Sequence, residues 1–403
     1  MLILRCYPRI TDWLFVVSNQ TIDLRIIPIY SYGFFVAIAF LVAAAIAVYL
    51  LKKRENAGIL GYEEVPHIKK QGLDWTDSLS YIILGAYAGL KILGYSANRS
   101  LLEFDPQGYL LSLKGSFLGA LLGSVAGLGV YYLMMRKEKR QEPEQVIEKI
   151  YPHQRIGDLL IIAAVLGVLG ANLFNLLENP EEYAQFWDDP IGSLFSGLSV
   201  FGGLICAAAG FWVYAKWKKI PVSQLFDAVA PGFIMANGIG RLGCQVSGDG
   251  DWGIVNPLPT PSWLPEFLWK DDYAYNITGA GSPIPGCVGR YCTYLDPPVF
   301  PTPIWEFILL GICCAILVWA SVRFMRLPYA TFSLFLILAG AERLFIEQFR
   351  DWSDRHPVSV LGYSLSFLGR GMKQAEFISI LMITCGLSFC LYLFYQQVKP
   401  KKP

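Results

Sequence analysis

The chain has 403 residues, of which 54% are hydrophobic and only 16% are charged. Ordinary soluble domains carry roughly 25% charged residues, so this composition excludes most soluble enzyme classes and indicates a membrane protein. The formal net charge is +1. We expect no nucleic-acid partner.

Nine apolar stretches are each long enough to cross about 30 Å of hydrocarbon, which takes roughly 20 helical residues. They predict an all-α polytopic membrane protein with about nine transmembrane helices in a single integral membrane domain, residues 1–403. The stretches are 33–51, 78–95, 115–135, 158–177, 195–215, 225–243, 303–322, 329–347 and 375–395.

Basic clusters follow every second stretch, and short basic loops stay in the cytoplasm. This pattern predicts an N-terminus outside and a cytoplasmic C-terminus. The N-terminal segment is broken by Arg5, Pro8 and Arg9, so it is expected to be an interfacial element and not a signal peptide. The longest outer loop, 245–300, is rich in Gly, Pro, Asp and Trp and is predicted to cap the bundle. The outer loops are 96–112, 178–193, 245–300 and 350–372.

Two apolar segments, 116–131 and 199–214, align at an offset of 83 with Ser, Gly, Leu, Ala, Val and Tyr in register. The alignment predicts a duplicated two-helix hairpin, with 78–135 as the extra copy. Shared membrane composition is the alternative, because small-residue helices often resemble each other.

Cysteine and histidine placement bears on disulfides and metals. Cys287 and Cys292 lie close together in the predicted outer loop, where a disulfide is plausible. The three histidines are scattered and lack companion ligands at metal spacing. We expect neither a metal site nor a cofactor.

The stretch GIGRLGCQVSGDGDWG, residues 238–253, contains a G-x-G-x-x-G pattern. A dinucleotide loop requires a preceding strand, whereas this stretch follows an apolar membrane run, so that interpretation is excluded. We expect the glycines to let the chain leave the helix in a turn whose amides, beside Arg241, bind phosphate. Helix packing is the alternative role for them.

Ionisable side chains at membrane depth are costly and mark functional sites. Arg241, Glu306, Arg343, Glu347 and Arg350 are the clearest cases. The spacing of the last three predicts one helical face. Converging guanidiniums suit a phosphate, because each can hold two of its oxygens. The alternative is a set of neutralising pairs that only fixes helix packing.

These residues lie in motifs that resemble the bacterial prolipoprotein diacylglyceryl transferases. Their signature, GRxGNFxNGExxG, is similar to GRLGCQVSGDGDWG here, with one extra residue. YSYGFF resembles the first-span motif, FPTPIWE resembles HPTxLYE, and AERLFIEQFRD resembles RFxxEFFRE. The motifs occur in the family's order from about residue 29 to 395.

The resemblance implies transfer of the diacylglyceryl group of phosphatidylglycerol to the lipobox cysteine thiol of a prolipoprotein, releasing glycerol phosphate. It implies a bacterial inner-membrane enzyme with its site toward the outer leaflet. The partners would be phosphatidylglycerol, a prolipoprotein signal peptide and membrane lipids. Two alternatives stay open: a noncatalytic protein that binds or translocates phospholipid, and a transferase with a different acceptor.

Carried over residue by residue, the resemblance implies catalytic roles for Arg241, Arg343 and Tyr32. Arg350, Ser247 and Asp249 would position the headgroup, and Glu347 and Glu306 would orient the arginines. The implied substrate-binding set is Arg350, Glu347, Ser247, Asp249, Gly253, Glu306 and Asp251.

Three departures from the family bear on activity. Phe201 stands at the histidine of HGGL, Phe300 at the histidine of HPTxLYE, and Asn172 at the arginine of GGRxGY. The general base is therefore unassigned from sequence. Tyr32 and Asp251 are the candidates.

Overall fold

The computed structural model describes residues 6–18, 21, 29–69, 75–95, 98, 109, 114–137, 144–178, 199–289, 291–350, 359–360, 363–364, 366–367 and 370–398. Within these residues there are ten α-helices, and a helix lies at each predicted apolar stretch. They are α1 Ile10–Val17, α2 Ser31–Asn56, α3 Trp75–Gly94, α4 Phe117–Lys137, α5 Ile156–Glu178, α6 Val200–Trp217, α7 Val222–Ser247, α8 Thr302–Arg323, α9 Ala330–Ile346 and α10 Gln374–Val398.

The described strands are short and form antiparallel pairs. Single 3₁₀ turns occur at Pro152–Arg155, Glu266–Leu268 and Glu347–Phe349. The pairs are β1 Glu63–Lys69 with β2 Glu144–Ile150, β3 Ser282–Pro283 with β4 Thr293–Tyr294, β5 Ser359–Val360 with β6 Tyr363–Ser364, and β7 Ser366–Phe367 with β8 Arg370–Gly371.

Among the described helices, five segments are long and apolar enough to cross a membrane. The structure thus confirms a mostly helical membrane protein, while the number of crossings and their orientation stay predictions. The predicted outer loops 96–112, 178–193 and 350–372 lie almost wholly outside the described residues. The five segments are Ser31–Asn56, Phe117–Met134, Pro152–Leu177, Thr302–Arg323 and Gln374–Tyr395.

The chain forms two compact units, which we call the core unit and the hairpin unit. The core unit comprises 1–61, 152–161 and 211–403, and the hairpin unit comprises 62–151 and 162–210. The prediction of a single membrane domain stays a prediction.

The core unit is built around α7, which packs against α2, α8 and α9. Gly232 allows close approach to α2, because a side chain there would meet the backbone of Ala43. Ile234, Leu310 and Phe335 fill the interior between α7, α8 and α9.

A polar cluster fixes one end of this bundle. Arg54 is fully buried in α2 and donates from Nε to Gln224 Oε1 at 2.9 Å and from Nη2 to Ser321 Oγ at 2.8 Å. Asp227 accepts a hydrogen bond from the backbone N–H of Phe332 at 2.7 Å. The cluster joins four helices and sets their relative positions.

Glycines bring α3 and α4 of the hairpin unit into backbone contact. An added Cβ at Gly119 or Gly123 would meet the carbonyl oxygen of Gly89 or Gly85, respectively. Lys91 closes the same hairpin, since its Nζ donates to the carbonyl oxygen of Lys114 at 3.0 Å. Small residues at such interfaces permit tight helix pairing in membranes.

The pair α5–α6 repeats this register. A Cβ added at Gly202 would contact the carbonyl oxygen of Gly170, as one at Gly119 would contact that of Gly89. A Cβ at Gly210 would contact the side chain of Leu166. Gly202 follows Gly119 by 83 residues, while Gly170 follows Gly89 by 81. The common register supports the predicted duplication, which stays a prediction.

Residues 249–300 form a cap of turns and short strands after α7. The predicted disulfide between Cys287 and Cys292 is confirmed. The buried Tyr273 donates its hydroxyl hydrogen to Gln245 Oε1 at 2.5 Å, and Gln245 Nε2 donates to Asp271 Oδ2 at 2.7 Å. These bonds attach the cap to the last turn of α7.

Candidate functional site

The glycine-rich stretch continues α7 and does not end it. Helical hydrogen bonding persists to Ser247, and the chain turns at Gly248, whose φ of 63° is left-handed. The prediction that the earlier glycines form a phosphate-binding turn is therefore wrong. Gly238 packs against Leu310, and Gly243 packs against Phe35. A Cβ at either position would displace its neighbour. The packing alternative holds for these two glycines.

Arg241 projects from α7 toward two carboxylates. Its Nε lies 2.5 Å from Glu306 Oε2, on the first turns of α8, and its Nη1 contacts Asp251 Oδ2 in the cap. Glu306 is almost fully buried. A buried carboxylate needs such charged partners, because its desolvation is otherwise prohibitive.

Two further arginines reach the other oxygen of Glu306. Arg350 Nη1 lies 3.4 Å from Oε1, and Arg343 Nη1 lies 3.6 Å from it. Three guanidiniums from different parts of the chain therefore surround one carboxylate. We call Arg241, Glu306, Arg343, Arg350 and Asp251 the arginine cluster.

Arg343 is not saturated by its partners. Its Nη2 lies 2.9 Å from Glu347 Oε2, one helical turn further along. Its Nη1 is beyond hydrogen-bond distance of Glu306 and is buried with no hydrogen-bond partner among the described residues. An unsatisfied guanidinium N–H is a donor that an oxyanion can use.

The prediction of one helical face for Arg343, Glu347 and Arg350 is wrong. Helix α9 ends at Ile346, a 3₁₀ turn follows, and Arg350 is extended with φ −94° and ψ 151°. Arg350 instead forms a backbone bridge with Gly253 of the cap. The bridge brings its guanidinium back to the cluster.

The bridge requires glycine at position 253, because a larger residue would clash with its neighbours. An added Cβ would lie 2.7 Å from the Phe349 carbonyl oxygen and 2.9 Å from Thr302 Cγ2. Its N–H donates to the Phe300 carbonyl at 2.9 Å. Gly253 therefore acts through the backbone that positions Arg350, and it offers no side chain to a headgroup.

Asp251 is held between two guanidiniums. Arg350 Nη2 contacts Oδ1 while Arg241 contacts Oδ2, and Thr302 Oγ1 donates to the Asp251 backbone carbonyl at 3.0 Å. Burial opposes ionisation, but the two arginines outweigh it and lower the pKa of Asp251 to about 2. A carboxylate with so low a pKa is a poor general base near neutral pH.

Three of the remaining expected residues surround Cys244 near the end of α7. Asp249 lies beside the Cys244 thiol, and burial raises the pKa of Asp249. Tyr32, at the start of α2, is about half exposed and lies against Gly243. Ser247 is fully buried and donates to the Gly243 carbonyl at 2.9 Å, so its hydroxyl is engaged within the helix.

Cys244, Asp249 and Asp251 have possible ligand atoms within 4.8 Å of one another. Both oxygens of Asp251 already accept from arginines, so its place there is accounted for by ion pairs. The arrangement thus gives no reason to add a metal.

An aromatic cluster occupies the position where the family has its second histidine. Phe300 packs against Trp269, Trp305 and Phe349, with ring centroids 5.3 to 5.7 Å apart. None of these four rings is an acid or base near neutral pH. The side chain of Phe201 lies outside the described residues.

Sequence reasoning missed Lys373. This buried lysine precedes α10, and its Nζ lies 3.0 Å from Glu347 Oε1. A lysine immediately before an apolar span was the available signal, but it is also the common pattern of a residue at a membrane surface.

Comparison with known proteins places the chain in a family. A sequence model described as "Prolipoprotein diacylglyceryl transferase" matches residues 118–392. Relatives named phosphatidylglycerol–prolipoprotein diacylglyceryl transferase include one from Corynebacterium efficiens, 28% identical over 197 residues, which cover 48% of this chain and 58% of that protein.

Two further relatives align over longer stretches. A protein from Clostridium perfringens with the same name and the number 1 is 28% identical, over 61% of this chain and 81% of its own length. One from Streptococcus uberis is 25% identical, over 58% and 77%. The chain spans less than two thirds of the length of the Corynebacterium relatives.

Proposed function

Because the chain belongs to the prolipoprotein diacylglyceryl transferase family, we propose that it transfers the diacylglyceryl group of phosphatidylglycerol to a cysteine thiol of a prolipoprotein. The acceptor would be the lipobox cysteine beside the signal peptide. The released product would be glycerol phosphate.

The convergence of Arg241, Arg343 and Arg350 on Glu306 is the observation that carries this proposal. A phosphodiester has one negative charge, and its leaving form gains a second. Guanidiniums fixed in a buried site stabilise that developing charge more strongly than water-exposed ones do.

The proposed step is a displacement at carbon. The thiolate sulfur attacks the glyceryl carbon that bears the phosphate, a C–S bond forms, and the C–O bond to the phosphate breaks. The electron pair leaves on the phosphate oxygen, and the thiol proton passes to solvent or to the released phosphate. Arg241 and Arg343 would contact that phosphate, with Arg350 positioning it.

The carboxylates have supporting roles in this scheme. Glu306 holds the three guanidiniums together, Glu347 orients Arg343, and Asp251 fixes Arg241 to Arg350. Asp249 would lie near the entering headgroup, beside Cys244. Contacts of the buried Ser247 give its hydroxyl no such role, and Gly253 contributes only its backbone.

The acceptor thiol must lose its proton to become the attacking thiolate. With Asp251 held ionised between arginines, Tyr32 is the remaining candidate, and its half-exposed position at the start of α2 leaves it accessible. A thiol with a pKa of about 8.5 also ionises by itself to a small extent, and nearby arginines favour its thiolate.

A second candidate function follows from the aromatic group at Phe300 and the missing histidine at Phe201. A protein without an acid–base group there could bind or translocate phospholipid without transferring it. A transferase with another acceptor is a third. Both would keep the arginine cluster.

We also infer nine membrane crossings, an N-terminus outside and a site toward the outer leaflet of a bacterial inner membrane. The inference is supported by the helices at the nine predicted stretches and by the alternating basic clusters. Cysteine labelling from either side of the membrane, with single cysteines placed in successive loops, tests this topology.

Mass spectrometry separates the functional candidates. Purified protein is incubated with phosphatidylglycerol vesicles and a lipobox peptide. A diacylglyceryl adduct on the peptide thiol is the expected result. Lipid turnover without an adduct would indicate another acceptor. Saturable lipid binding without turnover would favour the protein that binds or translocates phospholipid.

A further inference from the structure

Lys373 is a buried cation to which the sequence analysis assigns no role. It precedes α10, is 3% exposed, and its backbone N–H donates to Glu376 Oε2 at 3.0 Å. Its Nζ lies 3.0 Å from Glu347 Oε1. Burying an ammonium is costly unless it is paired, so its contact with Glu347 is a defined part of the fold.

Glu347 is shared between two cations. Lys373 faces its Oε1, while Arg343 Nη2 lies 2.9 Å from its Oε2. Glu347 is fully buried, so little solvent screens its charge. Because that charge is divided, Glu347 neutralises Arg343 only in part.

The opposite end of Arg343 has capacity for a ligand. Its Nη1 is buried and has no hydrogen-bond partner among the described residues. Glu306 Oε1, its nearest acidic atom among the described ion pairs, is 3.6 Å away and is also contacted by Arg350. Arg343 therefore keeps an unused donor on the side away from Glu347.

We propose that Lys373 is a positioning and specificity-determining residue for this site. It fixes Glu347 and takes part of its charge, which leaves the charge of Arg343 less compensated and its guanidinium correctly directed toward a lipid phosphate. The site consequently selects a headgroup of net negative charge over a zwitterionic one. This inference rests on the proposed function, and Lys373 itself does not touch the lipid.

Substitution of Lys373 tests the proposal. Lys373→Met keeps the apolar stem and removes the charge, while Lys373→Arg restores it. We expect the Met variant to raise the KM for phosphatidylglycerol roughly tenfold, the size of one charge-assisted contact, with a smaller change in kcat. The Arg variant should remain near wild type.

Lipid binding provides a second measurement. Native mass spectrometry with phosphatidylglycerol and phosphatidylethanolamine should show a preference for the anionic lipid in wild type and its loss in Lys373→Met. The double variant Lys373→Met with Glu347→Gln should recover part of that preference, because residue 347 then no longer carries a charge that neutralises Arg343.

The outcomes separate this proposal from the function on which it rests. An unchanged KM and an unchanged lipid preference in a folded Met variant would overturn the role of Lys373. An effect on kcat alone would do the same. If wild type transfers no lipid, the proposed function fails, while the binding comparison still decides on Lys373. If the Met variant does not fold, Lys373→Gln, which keeps a hydrogen-bond donor for Glu347 without the charge, takes its place with the same expected loss.

Discussion

Arg241 and Glu306 form an ion pair within the arginine cluster, with Nε 2.5 Å from Oε2. They lie on different helices, α7 and α8, and both are largely buried. Their contact joins the glycine-rich stretch to the PTPIWE motif, so the two motifs lie side by side in the fold.

Arg241→Lys is expected to reduce lipid transfer at least tenfold. A lysine keeps the charge but lacks the planar fork that reaches Glu306 and Asp251 together. The rate of thioether formation on a lipobox peptide measures the effect. Arg323→Lys, at the exposed opposite end of α8, is the matched control and should be neutral. Equal rates for both variants would remove Arg241 from the mechanism.

Glu306→Gln is expected to lower both transfer and stability. Removing one partner of a buried ion pair typically costs about 3 kcal/mol or more, and here three guanidiniums lose their common carboxylate. Thermal unfolding in detergent and the transfer rate are the measurements. Glu266→Gln serves as control, because Glu266 is mostly exposed and its ion pair with Lys270 lies at the surface of the cap. A stable, active Glu306→Gln protein would contradict the central place of this carboxylate.

The burial of Asp271 is expected to make the stability of the protein depend on pH. Burial, aided by Asp272, raises the pKa of Asp271 to about 6 from its usual 3.8, so the folded protein holds this proton more tightly than the unfolded chain. The carboxyl therefore costs no stability below about pH 4, and the cost grows as the pH rises toward 6 and then levels off.

The check is a pH series of unfolding temperatures for wild type and Asp271→Asn. The asparagine does not titrate, so the difference between the two proteins should change between about pH 4 and 6 and be constant above that range. A difference that stays flat across the whole series would mean that the carboxyl is not perturbed as described.

Residues 62–151 are expected to be removable. The antiparallel pairing of Glu63 with Ile150 brings the ends of this segment together, and the rings of Tyr62 and Tyr151 are 5.5 Å apart. His153 N already donates to Glu55 Oε1 at 2.9 Å, which places the residues on either side in contact. A short link from Gly61 to Pro152 should therefore leave the core unit folded.

The deletion variant should bind phosphatidylglycerol and transfer lipid at a rate within a few-fold of wild type, since the arginine cluster lies wholly in the core unit. A second variant with a longer Gly-Ser link controls for strain at the junction. Loss of lipid binding and transfer in both variants would show that the deleted hairpin is necessary for activity.

The sequence by itself determined where the membrane helices form and which of their residues carry charge. Runs of about 20 apolar residues fix where helices form, because hydrocarbon leaves the backbone no other way to satisfy its hydrogen bonds. The arginines stood out because charge at membrane depth is rare, and the disulfide because two cysteines lay close in one loop. These are local properties of residue type and spacing.

Only the tertiary structure decided how those residues meet. Periodicity placed Arg350 on the face of α9, whereas a backbone bridge to Gly253 returns it to the cluster after the helix has ended. The sequence made Asp251 a candidate base, whereas its two arginine partners make it unsuitable, and the sequence gave no role to Lys373. Each depends on contacts across many intervening residues, and the free energy of a buried charge is set by the partners that folding brings within a few ångströms.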